Sequence, residues 1–256
     1  PSTLELNGTD YTTWNNLNFI GTGATYAYAC HLWNQADNNT FSGCTFTVPA
    51  NTTSSTCVPF SISGSQSSAT TSGVSGNNNI LSGCTMNSGY YNTCFVGNSA
   101  ATNTGNQVIN CNISDQYFYG LYTLYQNGMI VSGNTFSRPT RTTLSTYYGV
   151  YISSGDINML VEKNKFRNTW QQAPTSTGTQ YTIYDIVAAS LGNENRIYNN
   201  LISDINFNGT IYGIYGSGAS YNKIYHNTIS LDQTSASGTT TTYGIYCSGT
   251  AGVDIR

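Results

Sequence analysis

The sequence predicts an all-β solenoid, and three observations support this prediction. Only 7% of the 256 residues are Asp, Glu, Lys or Arg, against about 25% in typical globular proteins. Gly (26) and Tyr (21) are abundant; Tyr, Thr and Ile favour strands, whereas Gly and Asn favour turns. Short strand-like motifs also recur about every thirty residues, which is the sequence signature of a solenoid.

The repeat is clearest near the end of the chain, where Tyr-Gly-Ile-Tyr at residues 212–215 returns at residues 243–246. A second apolar stretch follows each such word and aligns as a column at residues 14–19, 41–46, 81–86, 108–113, 131–136, 161–166, 197–202 and 224–229. The words themselves align at residues 27–30, 57–60, 91–94, 119–122, 148–151, 181–184, 212–215 and 243–246. The two columns alternate without interruption, so we expect about eight repeats of one unit.

Each repeat contains a strand, a turn, a second strand, a short third strand and a variable loop. No helical segment separates the strands, so parallel neighbours can form only if the chain winds as a coil. Residues of one column then stack on rungs about 4.8 Å apart, giving a rod roughly 40 Å long. We expect residues 1–256 to be a single segment cut from a longer chain, because neither end carries the polar cap that solenoids need.

The words Tyr-Gly-Ile-Tyr and Asn-Lys-Ile-Tyr-His-Asn-Thr-Ile-Ser, the latter at residues 222–230, resemble the repeats of right-handed parallel β-helix proteins. The similarity is to the pectin-lyase-like superfamily and its NosD-like repeats, and it covers nearly the whole chain. It implies a right-handed, single-stranded parallel β-helix. Long Thr/Ser/Gly loops and few charges are also similar to large secreted surface adhesins of Bacteroidota. The superfold hosts lyases, hydrolases, adhesins and phage tailspikes, so the resemblance specifies no single function.

Asparagine recurs where the second strand bends into the third, at Asn134, Asn164, Asn200 and Asn227. Asn adopts the left-handed backbone conformation more readily than most residues, so we expect these positions to form the corner. The resemblance further implies an internal asparagine ladder there, and stacked amides can hydrogen-bond along the rod axis. We expect a second turn ladder from the column Asn39, Asn79, Asn106, Asn195 and Asn222.

Three of the seven cysteines, Cys44, Cys84 and Cys111, occupy the first ladder column in the earlier coils. They could form a metal cluster, a disulfide or a small polarizable stack that replaces the ladder. We favour the stack, because in-register neighbours on parallel strands rarely meet disulfide geometry and the CxxC spacing of zinc sites is missing. The sequence therefore predicts no metal site and no cofactor.

The Tyr-Gly-Ile-Tyr motif predicts which residues lie in the core and which lie on the surface. We expect its third residue to point inward and to stack along the rod, as do two columns of the second and third strands. These predicted stacks are Val150, Ile183, Ile214 and Ile245; Val131, Val161, Ile197 and Ile224; and Phe136, Phe166, Ile202 and Ile229. Alternation then places the last tyrosine outside, which predicts an exterior aromatic stripe of Tyr122, Tyr151, Tyr184, Tyr215 and Tyr246.

Such a stripe could stack on pyranose rings or bury against another protein, or it could simply be a set of tyrosines that suit an exposed strand. Four loops that follow the third strand should cluster at one edge of the rod, where binding residues are often found. These loops are residues 48–56, 137–146, 169–180 and 231–242. A further insertion, residues 63–78, lies in a different turn.

Catalytic residues are hard to find in this sequence. Polysaccharide lyases and glycoside hydrolases of this fold need acidic or basic groups on neighbouring coils of one face. Asp115 and Asp204 share a column but stand three coils apart, and Lys163, Lys165 and Arg167 read as one solvated strand face. No Asp pair or concentrated basic group appears.

We therefore expect a non-catalytic segment of a large extracellular or cell-surface bacterial protein, serving as a rigid stalk and as an adhesive or glycan-binding surface. The alternative is a carbohydrate-active enzyme whose site lies on loops or on coils outside this segment. Polysaccharide or another surface or secretion protein is the expected partner. A formal net charge of −3 without a basic stripe argues against nucleic acid, and no apolar stretch is long enough to span a membrane.

Overall fold

The computed structural model describes residues 2–231, 241–249 and 251–256. Within these ranges the chain consists of short strands joined by turns, and the strands line up in three long parallel sheets. The sheet of longest strands contains β1 (Ser2–Asn7), β4 (Ala27–Trp33), β7 (Cys57–Ile62), β10 (Tyr91–Val96), β14 (Tyr119–Leu124), β18 (Tyr147–Ile152), β21 (Thr179–Asp185), β24 (Thr210–Ser217) and β27 (Thr242–Ser248). We call this sheet the long sheet.

The other two large sheets are built from strands of two or three residues. The second sheet contains β2 (Thr13–Asn15), β5 (Thr40–Ser42), β8 (Ile80–Ser82), β12 (Gln107–Ile109), β16 (Ile130–Ser132), β19 (Leu160–Glu162), β22 (Arg196–Tyr198), β25 (Lys223–Tyr225) and β28 (Asp254–Ile255). The third contains β3 (Asn18–Ile20), β6 (Thr45–Thr47), β9 (Thr85–Asn87), β13 (Asn112–Ser114), β17 (Thr135–Ser137), β20 (Lys165–Phe166), β23 (Leu201–Ile202) and β26 (Thr228–Ile229). A small extra pair joins β11 (Asn103–Thr104) to β15 (Gln126–Asn127).

Each coil visits the three large sheets in turn, and each strand pairs with its counterpart in the next coil. This order confirms the predicted all-β parallel solenoid of about eight coils. The right-handed sense of winding stays a prediction. In the described part of the chain, no helix has the length and hydropathy that crossing a membrane would require.

The core contains the predicted stacks, one residue per coil, except for Ile245 of the last coil, which is exposed. The strand register places Val150 beside Ile183 and Ile183 beside Ile214, and the other two predicted columns are likewise in register. Phe136 and Phe166 stack with ring centroids 4.7 Å apart. Because identical apolar positions face each other across every rung, burial of one column requires that all coils keep the same register.

The predicted corner is off by one residue. The left-handed residues of this turn are those that precede the ladder column: Asn16, Gly43, Gly83, Asn110, Gly133, Lys163, Asn199 and His226, with φ between 53° and 72°. Asn134, Asn164, Asn200 and Asn227 are not among the residues with positive φ. The preceding residue takes the left-handed conformation, which turns the next side chain inward.

The inward asparagines form a continuous hydrogen-bonded column. Asn164 Oδ1 accepts from the backbone N–H (3.0 Å) and Nδ2 (2.9 Å) of Asn134, and Asn164 Nδ2 donates to Val131 O (2.9 Å). Asn200 Oδ1 accepts in the same way from Asn164, and Asn227 Oδ1 accepts from Asn200. Each amide therefore links three coils and satisfies backbone groups that the sharp corner leaves unpaired.

The cysteines continue this column toward the first coils. The backbone N–H of Cys111 donates to Asn134 Oδ1 at 2.8 Å, so the amide ladder ends on the backbone of the coil in which a thiol first replaces the amide. The Sγ atoms of Cys84 and Cys111 donate to Phe41 O (3.4 Å) and Leu81 O (3.6 Å), the carbonyls of the preceding coil that a ladder amide would use. All seven cysteines are free thiols. A thiol is a smaller and weaker replacement for the amide at this corner.

The second asparagine column is interrupted. Asn39 and Asn79 are linked through Asn79 Oδ1, and the Asn79 N–H donates to Asn106 Oδ1 at 2.9 Å. Buried Met129 and Met159 stand in this column in the next two coils, where the Asn106 amide donates instead to Gln126 Oε1. Asn195 and Asn222 both donate to a buried carboxylate, Asp185, at 3.2 and 2.8 Å.

Replacement of Asn164 by Ala should destabilise the fold by about 3 kcal/mol or more, because buried amide and carbonyl groups of the two neighbouring coils lose their partner at about 1–3 kcal/mol each. Chemical denaturation followed by circular dichroism measures this free energy of unfolding. The matched control is Asn112→Ala on the exposed outer side of β13, where we expect a change within about 0.5 kcal/mol. Equal effects of the two variants would contradict the ladder's role.

Candidate functional site

The candidate site is the outer surface of the long sheet, where the five predicted stripe tyrosines lie in one column. Strand register pairs Tyr122 with Tyr151, Tyr151 with Tyr184, Tyr184 with Tyr215, and Tyr215 with Tyr246. Each of the five rings is partly exposed, whereas the residue before it faces the core in all but the last coil, where Ile245 is 36% exposed.

Sequence reasoning missed a second tyrosine column on the same surface. It contains the first residue of each repeated motif: Tyr91, Tyr119, Tyr148, Tyr181, Tyr212 and Tyr243. Strict alternation would turn Tyr212 and Tyr215 to opposite faces, since they are three residues apart. In β24, however, Gly213 and Ile214 are both buried, and the two tyrosines that flank them are partly exposed.

The glycine of the word makes this double inward step feasible. A Cβ atom at Gly149 would lie 2.4 Å from Thr182 O and 2.8 Å from the Phe166 ring. Gly120 and Gly213 are similarly crowded by the carbonyl of the next coil. The sequence signal in these three coils is the glycine between the two tyrosines, which marks a close approach of two backbones, although buried Thr182 takes the same position between Tyr181 and Tyr184.

In the first two coils the predicted frame is wrong by one residue. Register places Phe60 beside Thr93 and Ser61 beside Cys94. The residues equivalent to the Tyr-Gly-Ile-Tyr motif are therefore 28–31 and 58–61, not 27–30 and 57–60. The column of the stripe tyrosines therefore continues through Cys94 and Ser61 to His31. Burial lowers the pKa of His31 to about 4, and its Nε2 is 2.8 Å from Ser63 Oγ.

The insertion at residues 63–78 covers this end of the surface. Its Ala69 packs on Tyr28, Val58 and Cys94, forming a small hydrophobic cluster outside the main core. Tyr26 Oη donates to Gln66 O at 3.2 Å, which fastens the insertion to the sheet. From Tyr119 onward the two tyrosine columns have no such cover among the described residues. We call the uncovered part, from Tyr119 to Tyr246, the tyrosine face.

The rings of the tyrosine face stack on one another. Along the first column the ring centroids are 4.9–5.1 Å apart and the planes differ by 5–19°. The second column is less regular, with centroids 5.0–5.5 Å apart and angles of 17–61°. In the first column, where the planes are nearly parallel, each ring face lies against the next ring, so solvent meets ring edges and hydroxyl groups. Stacking of pyranose rings on the predicted stripe, which is the second column, stays a prediction.

Four phenol groups of the first column are protonated hydrogen-bond donors. Burial among neighbouring rings raises the pKa of Tyr119, Tyr148, Tyr181 and Tyr212, and no hydrogen bond contributes to these shifts. Their hydroxyl oxygens are not among the buried polar atoms that lack a partner, so they reach solvent. Each can donate one hydrogen bond and accept another from a ligand.

The loops at residues 48–56, 137–146 and 169–180 meet at one edge, as predicted; of the fourth, residues 232–240 lie outside the described residues. Two buried arginines hold these loops together. Arg138 Nε donates to Thr169 O (2.8 Å), and Arg141 donates to the carbonyls of Asp115 (2.9 Å) and Thr52. Burial lowers the pKa of Arg138 to about 9 and of Arg141 to about 10. These guanidinium groups bind carbonyls of their own chain and are structural.

The acidic residues Asp10 and Asp37 stand on adjacent coils, where the Asp37 N–H donates to Asp10 Oδ1 at 2.7 Å. Asp115 lines a cleft of about 50 Å³ with Arg141, and Asp204 lines a separate cleft of about 200 Å³ with Asn168. Lys163, Lys165 and Arg167 are exposed, and Lys163 Nζ is 3.1 Å from Glu162 Oε1. No group of three or more His, Cys, Asp or Glu side chains in the described ranges could hold a metal ion.

Two buried carboxylates stand inside the rod. Asp156 accepts from Gln126 N (2.7 Å) and Thr123 Oγ1 (2.5 Å), and Asn195 Nδ2 bridges Asp156 O and Asp185 Oδ2 at 3.2 Å each. Burial raises the pKa of Asp156 to about 8 and of Asp185 to about 7. Raised pKa values in a cleft would indicate catalysis, but Asp156 and Asp185 are 0% and 1% exposed and are therefore structural.

No protein-family model matches the chain, and no curated protein matches it. Among solved structures, the crystal structure of the Dettilon tailspike protein (gp208) aligns with a TM-score of 0.37 and 12% sequence identity. The alignment covers 93% of this chain and 57% of the tailspike protein, so the chain spans little more than half of that protein's length. At this TM-score the likeness supports no conclusion about function, and the fold rests on the chain's own topology.

Stability should fall as the pH rises through the range set by the two buried carboxyl groups. A carboxyl whose pKa is higher in the folded than in the unfolded chain holds its proton more tightly when folded. Between an unfolded value of 3.8 and folded values of about 7 and 8, each carboxyl should therefore cost up to about 1.4 kcal/mol per pH unit. Thermal melts between pH 5 and pH 8 test this, and a slope unchanged in Asp156→Asn would contradict it.

Replacement of Gly149 by Ala should destabilise the tyrosine face by about 2 kcal/mol or more, because the new methyl would overlap Thr182 O and the Phe166 ring. The control is Gly244→Ala in the same column, where nothing lies within 4 Å and we expect no loss of stability. Thermal denaturation of both variants measures the difference. Equal melting temperatures would show that the inward glycine does not set the geometry of this face.

Proposed function

We propose that this chain is a non-catalytic β-helical segment of a large secreted or cell-surface bacterial protein, and that it serves as a rigid stalk with a glycan-binding surface. The proposal includes the right-handed winding of pectin-lyase-like and NosD-like repeats, which the repeated words resemble. The observation that carries the functional part is the uncovered tyrosine face. It presents phenol hydroxyls on successive coils without a covering loop among the described residues.

The stalk role is supported by how the coils are joined. Backbone hydrogen bonds of three sheets, the asparagine ladder and the apolar stacks all run along the rod axis. In such a solenoid each coil is held by its two neighbours, so local bending requires several of these columns to break together. A rod with these properties can hold a binding surface at a fixed distance from its point of attachment.

The glycan-binding role is supported by the chemistry of the tyrosine face. Tyrosine combines an apolar ring with a polar hydroxyl, and this combination suits ligands that carry both C–H and O–H groups. A polysaccharide is such a ligand. A surface or secretion protein is the other partner that a stripe of partly exposed aromatic residues fits.

One observation keeps a carbohydrate-active enzyme as the second candidate. The two clefts at the loop edge each contain a carboxylate, Asp115 in one and Asp204 in the other. Glycoside hydrolysis generally uses a pair of carboxyl groups about 5–9.5 Å apart, and each of these clefts supplies one. Catalysis in either cleft would therefore need a second carboxylate beyond the residues that line it.

Incubation with a panel of neutral and acidic plant and algal polysaccharides separates the two candidates. We expect retention of the protein on at least one polysaccharide in affinity electrophoresis. We also expect neither new reducing ends nor the ultraviolet absorbance of unsaturated products. Appearance of either product would overturn the non-catalytic assignment, and Asp115→Asn and Asp204→Asn variants would then identify the responsible cleft.

A further inference from the structure

We propose that the tyrosine face binds an uncharged, extended polysaccharide that lies along the rod axis and is held by hydrogen bonds to phenol hydroxyls. This inference rests on the glycan-binding role proposed above and names the class of ligand. It differs from stacking of sugar rings on tyrosine faces, because in the first column neighbouring rings cover those faces. The proposal follows from the charge, the repeat and the hydroxyl groups of this surface.

The absence of charge on the tyrosine face selects a neutral ligand. The strands β14, β18, β21, β24 and β27 contain a single Asp, Glu, Lys or Arg residue, Asp185, and it is 1% exposed and points into the rod. These five strands contain no arginine or lysine that could pair with the carboxylates of an acidic glycan. Bringing such a ligand onto a half-buried aromatic surface would desolvate its charges without compensation.

The repeat of the face selects an extended polymer in one orientation. Equivalent hydroxyls recur on every rung, with neighbouring ring centroids about 5 Å apart, over five coils. A polymer that runs along the axis meets the same chemistry at each rung, so its contacts multiply with its length. A ligand that crossed the axis would meet the tyrosines of only one or two coils.

The hydroxyl groups of the first column are available for such a ligand. Those of Tyr148, Tyr181 and Tyr212 make no hydrogen bond that affects their pKa, and they reach solvent. Replacing these tyrosines by phenylalanine therefore removes donors without breaking a hydrogen bond of the fold. The rings and their mutual stacking stay in place, so this change separates binding by hydroxyls from binding by aromatic surface.

The test compares the wild type with a Tyr148→Phe, Tyr181→Phe, Tyr212→Phe variant in affinity electrophoresis. The neutral probes are mixed-linkage β-glucan, galactomannan and dextran, and the acidic probes are polygalacturonate and alginate. We expect wild-type retention by at least one neutral probe and by neither acidic probe. The triple variant should bind at least about tenfold more weakly, because three hydrogen bonds are lost.

The matched control is Tyr11→Phe, Tyr125→Phe, Tyr221→Phe, which removes three hydroxyls outside the tyrosine face and should bind as the wild type does. Circular dichroism and thermal melting establish that both triple variants keep the fold. Neutral oligosaccharides of increasing length supply the second readout: affinity should rise with length until the ligand spans the face, about 20 Å.

Four results would overturn the inference. Unchanged binding by the Tyr148→Phe, Tyr181→Phe, Tyr212→Phe variant would exclude the hydroxyl groups, and affinity independent of oligosaccharide length would exclude the axial orientation. Retention by the acidic probes alone would exclude a neutral ligand while leaving the proposed glycan-binding role in place. Absence of binding to every probe would overturn both this inference and that role.

Discussion

The structure depends on register: each strand must pair with the same positions of the next coil. Parallel hydrogen bonding fixes that register over the three large sheets, and every column, apolar or polar, inherits it. A slip of one residue in a single coil would turn its inward side chains outward and break the asparagine ladder at the same time. Register therefore links the core, the corner and the outer surface, so none of the three can change independently.

Polar groups inside the rod reinforce this constraint. A buried amide that misses its partner costs about 1–3 kcal/mol, whereas an apolar residue in a slipped coil can often find other apolar contacts. Asn134, Asn164 and Asn200 thus specify the stacking of coils more sharply than the aliphatic columns do. In the first coils, Cys44, Cys84 and Cys111 provide a weaker form of the same specification, since thiols are poorer donors and acceptors than amides.

Much of this fold was predictable from the sequence, because a repeat makes each coil a test of the others. The apolar stacks and the ladder column could be aligned from Val131, Val161 and their equivalents. Backbone propensity predicts the left-handed conformation at Asn164 instead of Lys163. The structure differs because the Asn164 side chain is held inward by ladder hydrogen bonds, which are tertiary contacts. The covering of Tyr28 by the insertion could not be predicted from the sequence, because these contacts join segments that are not related by the repeat.

The candidate site was predicted only in part, for a related reason. Strict alternation identifies Tyr215 as exterior but assigns Tyr212 to the opposite face, whereas Gly213 and Ile214 both turn inward and leave both tyrosines partly exposed. In the first column the rings cover each other's faces and leave their hydroxyls to solvent. The chemistry of this surface therefore emerges from packing between coils, which no single repeat contains.

The central functional claim is that ligand lies on the tyrosine face and not at the loop edge. Hydroxyl-radical footprinting with mass spectrometry, performed with and without a neutral polysaccharide that binds, tests this claim directly. We predict that ligand protects Tyr148, Tyr181 and Tyr212 from oxidation and leaves Tyr225 on the second sheet unchanged. Protection confined to the loops at residues 137–146 and 169–180, with the tyrosines oxidised as in the free protein, would contradict it.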